Sequence, residues 1–217
     1  MSRPIRSYVL RQGRTTPAQQ RALAELFVTY GLPFTGQPLA LAEIFGRVAP
    51  VVLEIGSGMG ETTAAIAAAR PDADFIAVEV HGPGVGSLLN RIARHQLANL
   101  RVIRHDAVEV LERMVPDASL AALHLFFPDP WPKKRHHKRR LVQPEFAALA
   151  ARKLASGGVL HAATDWPDYA EYMALVFSAD RLLESAQRGF AERPATKFEA
   201  RGRRLGHPIR DLYFRRR

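Results

Sequence analysis

The chain has 217 residues, 47% of them hydrophobic and 24% charged, which is ordinary for a globular protein and enough to bury a sizeable core. It contains no cysteine, which excludes disulfides and thiolate metal sites. No apolar run approaches the roughly 18 residues that a membrane span needs. The basic N-terminus lacks the apolar stretch of a signal peptide, so we expect a single-domain, cytoplasmic protein.

The net charge of +10 is concentrated in three segments of the chain. Residues 1–21 carry five arginines and no acid, residues 133–140 carry six lysines and arginines, and residues 201–217 carry seven arginines and one acid. By contrast, residues 22–132 contain twelve acidic and seven basic side chains. We therefore expect an acidic domain with basic arms at about 1–20 and 201–217. No amphipathic anchor is evident, so nucleic acid is favoured over a membrane as the partner.

Apolar strands alternate with helices through much of the chain. Strands are predicted at 51–55, 74–80, 100–106, 120–127 and 159–165, and helices at 61–69, 85–97, 144–154 and in a short segment that ends at Met114. Segments 181–185 and 209–214 are candidates for antiparallel edge strands. This alternation predicts an α/β, Rossmann-like fold, with a mostly parallel central sheet, helices on both faces and an antiparallel edge.

A glycine turn follows the first predicted strand, in the sequence "LEIGSGMGE". Gly56, Gly58 and Gly60 allow a tight turn and the close approach of a ligand to the backbone at the carboxyl edge of the sheet. The spacing is G-x-G-x-G, because position 61 is glutamate, and it differs from the G-x-G-x-x-G of dinucleotide-binding proteins. The turn also lacks the Lys-Ser/Thr pair of a phosphate clamp. The glycine spacing and the acidic residues nearby disfavour an NAD-dependent oxidoreductase.

Acidic residues accompany the ends of the first three strands. Glu54 precedes the glycine turn, Glu79 comes near the end of the second strand, and Asp106 ends the third. At this edge Glu79 can bind ribose hydroxyls and Asp106 an adenine amino group, while Glu54 favours a cationic ligand. S-adenosylmethionine combines these groups without a phosphate, and the pattern resembles the class I S-adenosylmethionine-dependent methyltransferases. The alternative for each acid is a helix N-cap or an exposed strand end.

The segment "FPDPWPKKRHHKRR", residues 127–140, joins a carboxylate and a tryptophan to a dense cationic cluster. Asp129 follows the fourth strand, between two prolines that fix the backbone φ angle. Trp131 is predicted either to pack as an apolar plug beneath the sheet or to stack on a nucleic-acid base. The cations can neutralise phosphates and bring a polyanion to a carboxylate that would otherwise repel it. The alternative for the charged run is a solvated loop.

A resemblance to one family covers nearly the whole chain, from about Ile5 onward. The segments that carry it are "RSYVLRQGR", "LEIGSGMGE", "AVEVHGPGVG", "FPDPWPKKRHHKRR", "ATDWPDY" and "RPATKFEARGRRLGH". The sequence resembles the bacterial tRNA (guanine-N7-)-methyltransferases, whose target is a guanosine at position 46 in the variable loop of tRNA. The resemblance therefore implies S-adenosylmethionine as cofactor and tRNA as partner.

The resemblance also implies a role for each matching residue. It assigns cofactor binding to Glu54, Gly56, Gly58, Gly60, Glu79, Asp106, Ala107 and Asp129, and makes Asp129 the catalytic residue as well. It assigns substrate contacts to Lys133, Asp165, Thr196, Lys197, Phe198 and Glu199, and RNA contacts to Arg135, His136, His137, Lys138, Arg139 and Arg140. No metal site is expected, because no cysteine or acidic ligand set surrounds the two histidines.

The chemistry of guanine N7 agrees with this assignment. N7 has a free lone pair and no proton to lose, so attack on the sulfonium methyl requires mainly positioning and leaves a cationic ring. Asp129 can stabilise that charge or orient the amino edge of the base. Two alternatives remain open: a methyltransferase of an exocyclic base amine, for which "DPW" offers an acid beside an aromatic, and a non-catalytic RNA-binding protein. The sequence also leaves the oligomeric state open, as a monomer or a homodimer.

Overall fold

The computed structural model describes residues 7–8, 14–194, 199 and 208–217. Within these residues seven strands form one sheet in the order β3-β2-β1-β4-β5-β7-β6. The strands are β1 (Val51–Ile55), β2 (Asp74–Val78), β3 (Leu100–Ile103), β4 (Leu120–Phe126), β5 (Leu154–Thr164), β6 (Leu183–Ser185) and β7 (Arg210–Arg216). The first five strands are mutually parallel, and β7 runs antiparallel to its neighbours β5 and β6.

Helices cover both faces of the sheet. In the described part of the chain they are α1 (Pro17–Glu25), α2 (Phe27–Tyr30), α3 (Leu41–Phe45), α4 (Glu61–Ala69), α5 (Gly82–His95), α6 (Ala107–Arg113), α7 (Pro144–Lys153) and α8 (Pro167–Ala179), with a 3-10 helix at Lys134–Arg139. One apolar layer joins the sheet to α1, α4 and α5, and a second joins it to α6, α7 and α8. None of the helices described is both long and apolar enough to cross a bilayer.

The central strands are apolar at most of their positions because each one packs against both layers. In β1, Val52 belongs to the layer of α4 and α5, whereas Leu53 belongs to the opposite layer. Strands β1 and β2 are buried at every position. Such continuous apolar runs are what a parallel sheet covered on both faces requires. The predicted α/β fold with an antiparallel edge is therefore confirmed.

The predicted bounds hold for some elements and not for others; the helix predicted from residue 85 begins at Gly82, so the Gly-Pro-Gly stretch forms its first turn. β1 and α4 lie where they were predicted, but β2 and β3 end earlier, at Val78 and Ile103. Glu79 and Asp106 consequently lie in the loops just beyond these strands. β5 begins at Leu154 instead of residue 159, because Leu154 already pairs with Leu120 before an irregularity at which the register shifts.

Several helices were not predicted, although two of them begin at recognisable signals. Thr16 and Gln19 form a capping box in front of α1, and Pro167 is in the first turn of α8. α1 packs closely on α5, since a Cβ atom at Gly86 would lie 2.6 Å from the carbonyl oxygen of Gln19. α1 begins within the stretch expected to be a basic arm, and the division into one domain and two arms stays a prediction.

Candidate active site

A cavity of about 240 Å³ lies at the carboxyl edge of the sheet, beyond the ends of β1 to β4. Carboxyl edges of this kind are where open α/β sheets bind their ligands. Five of the residues predicted to bind a cofactor line it, namely Gly56, Glu79, Asp106, Ala107 and Asp129. The cavity therefore brings together side chains that are far apart in the sequence.

The glycine turn presents bare backbone beside this cavity. Gly56, Gly58 and Gly60 have φ angles of 73°, 55° and 74°, in the left-handed region that favours glycine. A Cβ atom at Gly60 would lie 2.5 Å from Leu88, so this glycine lets the turn pack onto α5. At Gly56 and Gly58 a Cβ atom would meet nothing within 4 Å. The space in front of these two glycines is therefore open to a ligand.

Glu79 holds the glycine turn to the end of β2. Its Oε2 accepts a hydrogen bond of 2.8 Å from the Gly58 N–H, and its Oε1 accepts one of 2.8 Å from the His81 N–H. A carboxylate oxygen can accept more than one hydrogen bond, so ribose hydroxyls can share these acceptors. Glu79 thus has a structural task in addition to the ribose contact that the sequence predicts.

Asp106 is the N-cap of α6. Its Oδ1 accepts hydrogen bonds from the backbone N–H groups of Val108, at 2.8 Å, and Glu109, at 3.4 Å. This is the helix-cap alternative considered for the acidic residues, and it coexists with a position in the cavity wall. The contact with an adenine amino group stays a prediction.

Two polar groups lie buried at the base of the glycine turn. Glu54 is 5% exposed, and burial, reinforced by the nearby Glu79 carboxylate, raises its pKa to about 7. The hydroxyl of Ser57 is buried and has no hydrogen-bond partner among the described residues. Both groups would gain from a polar, cationic ligand, Glu54 because a nearby cation favours its ionised form.

The loop that carries Asp129 has an unusual backbone. Phe127 and Trp131, on either side of the Pro-Asp-Pro sequence, have φ angles of 52° and 46°. Each such conformation in a residue other than glycine costs about 1–3 kcal/mol and persists where its surroundings enforce it. The Phe127 N–H donates to the Ala163 carbonyl oxygen at 2.8 Å, which ties the start of the loop to β5. Asp129 itself is exposed and lines the cavity.

Trp131 lies half-buried in this loop and does not act as a plug beneath the sheet. Its indole N–H donates to the carbonyl oxygen of Ser7 at 3.1 Å. The guanidinium carbon of Arg139 lies 4.9 Å from the centre of its ring, and the ring of His136 meets it edge-on at 5.9 Å. Trp131 therefore connects Ser7 to the cationic segment, residues 133–140.

Comparison with known proteins identifies the family. The family model described as "Putative methyltransferase" matches residues 48–212. A tRNA (guanine-N(7)-)-methyltransferase of Aromatoleum aromaticum is 58% identical over 220 residues, covering 100% of this chain and 85% of that protein. Its counterpart in Nitrosomonas eutropha is 56% identical over 215 residues, covering 97% of this chain and 96% of that protein. The chain belongs to the tRNA (guanine-N(7)-)-methyltransferase family. The resemblance predicted from the sequence is confirmed, and the protein is a methyltransferase.

Solved structures of other methyltransferases share its fold. The 16S rRNA methyltransferase KamB is similar with a TM-score of 0.57 and 18% identity, covering 80% of this chain and 91% of that one. The aminoglycoside resistance methyltransferase NpmB1 is similar with a TM-score of 0.55 and 18% identity, covering 82% and 92%. At this level of identity the likeness shows the fold alone, and it agrees with the predicted class I methyltransferase fold.

In the methyltransferase four of the six lysines and arginines of the cationic segment are exposed. Lys133 precedes the 3-10 helix, and Lys133, Lys134, Arg135 and Lys138 are exposed. His136, His137 and Arg139 are half-buried. No group of three or more histidine, cysteine or acidic side chains that could hold a metal ion occurs among the residues described.

Arg140 differs from the other cations of the segment, because its side chain is 2% exposed. Its guanidinium pairs with the Asp168 carboxylate and lies 4.7 Å from the ring centre of Tyr169. A guanidinium buried in this way would have to leave its partners to reach a phosphate. The structure therefore argues against the RNA contact predicted for Arg140.

The predicted substrate residues lie in different surroundings. Lys133 is exposed and Asp165 is half-buried directly after β5, and neither is among the described residues that line the cavity. Glu199 is buried and accepts a hydrogen bond of 2.7 Å from Arg193. Thr196, Lys197 and Phe198 lie outside the described residues.

Arg193 joins Glu199 to the edge of the sheet. It also donates two hydrogen bonds of 3.1 Å to the Asp211 carboxylate, and Asp211 lies 2.8 Å from Nε2 of His161. Although burial opposes its ionisation, the hydrogen bonds from His161 and Arg193 lower the pKa of Asp211 to about 2. This cluster was not predicted from the sequence, although "RPATKFE" already carried the resemblance and includes Arg193.

Other residues of the cavity wall were also missed. Ser7, Tyr8, His105, Phe127 and Leu141 line the cavity. Ser7 and Tyr8 belong to "RSYVLRQGR", a segment that carried the resemblance without being given a role. Their position shows that the N-terminal segment contributes to the site, and the family motif was the signal that could have found them.

Proposed function

We propose that this methyltransferase transfers a methyl group from S-adenosylmethionine to N7 of a guanosine in tRNA, at position 46 of the variable loop. One observation carries the proposal: a single loop joins Asp129, in the wall of the cavity, to the exposed cations that begin at Lys133. A cofactor cavity and a surface for a polyanion thereby meet at one carboxylate. The names of the relatives support the same substrate. The cytoplasmic location stays a prediction.

The residues around the cavity fit S-adenosylmethionine. Open backbone at Gly56 and Gly58 accommodates close approach, and the unpartnered hydroxyl of Ser57 is available to a polar ligand. The acidic surroundings suit an ammonium and a sulfonium group, and a pyrophosphate would be repelled by Glu54 and Glu79. When bound, S-adenosylmethionine supplies the electrophilic methyl group.

The chain itself then has to position guanine and stabilise charge. N7 has no proton to lose, so the reaction needs no general base, and alignment of the reacting atoms is the main requirement. Methylation leaves a positive ring beside Asp129. A fixed carboxylate at that point stabilises the developing charge without reorganisation of solvent. Because Asp129 is exposed in the free protein, a bound base would also cover it.

The affinity for S-adenosylmethionine is expected to depend on pH through Glu54. The cationic cofactor binds the ionised carboxylate better, and the pKa of Glu54 is raised to about 7. Affinity should therefore rise by up to about tenfold between about pH 6 and pH 8, as the binding-competent fraction of Glu54 grows. Calorimetry across this range measures it. Glu54→Gln is the matched control, because it should bind more weakly and cancel this part of the pH dependence. Parallel pH profiles for the two proteins would refute the assignment of Glu54.

The exposed cations are expected to determine how tRNA binding depends on salt. Each phosphate that is neutralised releases condensed counterions, so log K falls with log salt in proportion to the number of contacts. Replacing Lys134, Arg135 and Lys138 with alanine should flatten the slope by about three units, roughly one for each lost contact. Filter binding over a salt series measures the slope. The control is Arg181→Ala, an exposed arginine before β6 at the opposite edge of the sheet. Identical slopes for the triple variant and the wild type would mean that the segment is a solvated loop.

The proposed reaction is tested by methyl transfer to tRNA that lacks modifications. We expect labelled S-adenosylmethionine to yield 7-methylguanosine, identified by nuclease digestion and mass spectrometry and mapped to the variable loop. A methyl group on an exocyclic amine would support the rival enzyme activity. Binding of tRNA without binding of the cofactor would support a non-catalytic RNA-binding protein.

A further inference from the structure

A buried arginine lies at the C-terminal end of the cationic segment, and the proposed reaction does not use it. Arg140 immediately follows the 3-10 helix, and it is the buried member of a run whose other cations are exposed or half-buried. A buried guanidinium is costly unless it is paired and hydrogen-bonded. The partners of the Arg140 guanidinium therefore indicate which parts of the structure it stabilises.

The guanidinium of Arg140 connects two segments of the chain. Its Nε donates to the carbonyl oxygen of Pro130 at 2.9 Å, and a terminal nitrogen donates to the Asp168 carboxylate in the first turn of α8. Pro130 is the residue directly after Asp129. The contact thus ties the backbone beside the candidate catalytic carboxylate to a helix of the folded core.

Aromatic rings fix the orientation of this guanidinium. Its carbon lies 4.7 Å from the ring centre of Tyr169 and 5.5 Å from that of Tyr172. Tyr169 is fully buried, and its hydroxyl accepts a hydrogen bond of 3.2 Å from the Val142 N–H. Side chains of α8 therefore fix the guanidinium of Arg140 in the orientation from which it contacts the Asp129 loop.

The same helix also restrains the far end of the cationic segment. The Tyr172 hydroxyl donates to Oε1 of Gln143 at 2.7 Å. The amide nitrogen of Gln143 then donates to the carbonyl oxygens of His137, at 3.1 Å, and Arg140, at 3.2 Å. Tyr172 of α8 and Gln143 consequently anchor the C-terminal end of the 3-10 helix.

We propose that Arg140 is a positioning residue that sets the place of Asp129 for methyl transfer. Pro128 and Pro130 give the Asp129 loop no backbone N–H, and the flanking residues Phe127 and Trp131 have strained φ angles. The carbonyl oxygen of Pro130 needs a donor from elsewhere, and Arg140 supplies a charge-assisted one. The inference rests on the proposed function, since it assigns Arg140 a task in that reaction.

Arginine suits this task better than lysine does. Its planar fork donates to a carbonyl and a carboxylate at the same time and stacks on aromatic rings, whereas an ammonium group acts as a point charge. Arg140→Lys therefore separates two roles. A phosphate contact would survive this substitution largely intact, but the simultaneous link between Pro130 and Asp168 would be lost.

The test compares Arg140→Lys and Arg140→Met with the wild type in the full chain. We expect the single-turnover rate at saturating tRNA and S-adenosylmethionine to fall by about 10- to 100-fold, the range that a small misplacement of a reacting group can cause. Neither the dissociation constant for tRNA nor the salt slope of binding should change more than they do for Arg181→Ala. Lys138→Ala is the positive control for a flattened salt slope.

The following outcomes decide whether Arg140 positions Asp129. A flattened salt slope for Arg140→Met, with the saturating rate unchanged, would overturn the proposal and make Arg140 a phosphate contact. An unchanged rate in Arg140→Lys would also overturn it. Should both variants fail to fold, Asp168→Asn provides the test, because Asp168 is 63% exposed and asparagine removes its charge while keeping its size; the same loss of rate with unchanged tRNA affinity is expected. Absence of 7-methylguanosine with the wild type would instead refute the proposed function itself.

Discussion

Replacing Asp129 with alanine is expected to lower the rate of methyl transfer by about 10²- to 10³-fold, the loss typical of removing one group that stabilises developing charge. The affinity for tRNA should stay near that of the wild type or increase, because a negative charge disappears from a surface that binds a polyanion. Single-turnover kinetics and filter binding measure the two quantities separately. The effect on folding should be small, since Asp129 is exposed.

Two further variants make this result specific. Asp129→Asn keeps an acceptor for an amino group but removes the charge, so a partly retained rate would indicate that Asp129 orients the base. Asp72→Ala removes an exposed carboxylate before β2, at the opposite edge of the sheet, and controls for the change in net charge. Equal losses of rate and tRNA affinity in Asp129→Ala would make Asp129 a structural residue of the turn.

Replacing Arg193 with methionine is expected to lower the free energy of unfolding by about 3–5 kcal/mol, the usual result of removing one partner of a buried ion pair. The substitution deprives both Glu199 and Asp211 of their shared cation. Activity should fall as well, because the guanidinium of Arg193 lies 5.3 Å from the ring centre of Phe127, in the cavity wall. Denaturant unfolding at neutral pH measures the stability.

The pH dependence of this loss identifies its cause. In the wild type the lowered pKa of Asp211, about 2, gives a stabilisation that is complete above the ordinary aspartate pKa and is lost as pH falls through about 2. The difference between wild type and variant should therefore shrink in acid. The control is Arg215→Met, which breaks an exposed pair with Glu184 and should cost at most about 1 kcal/mol. A loss as large in Arg215→Met would refute the special role of the buried cluster.

Local patterns in the sequence predicted most of the sheet, for a physical reason. Strands buried on both faces, such as β1 and β2, are apolar at most positions, and a proline or glycine follows several of the helices, such as α4 and α7. The short helices α2 and α3 have no comparable signal, since their placement depends on packing against the core. α1 was not predicted for a different reason: its segment is basic and was interpreted as an arm, although Thr16 and Gln19 form a capping box in front of it.

The site was predictable where one residue type serves one purpose. The sequence predicted that Gly56, Gly58 and the acidic residues after β2 and β3 belong to the site. The separation of Arg140 from its cationic neighbours could not, because it depends on Asp168 and Tyr169, which reach it through the tertiary fold. The sequence of a cationic run does not show which of its lysines or arginines is buried. The Arg193 cluster likewise joins residues from three segments that meet in space.

The position of β7 in the sheet affects how the protein folds during its synthesis. β7 lies between β5 and β6 in the sheet, although it follows both in the chain. While the ribosome is still producing residues 186–209, β6 has no partner strand among the described residues, and β5, a strand of eleven residues, presents an open edge. Exposed edges of this kind are sites of aggregation in nascent chains. We therefore expect a product truncated before Arg210 to aggregate more readily than the full chain.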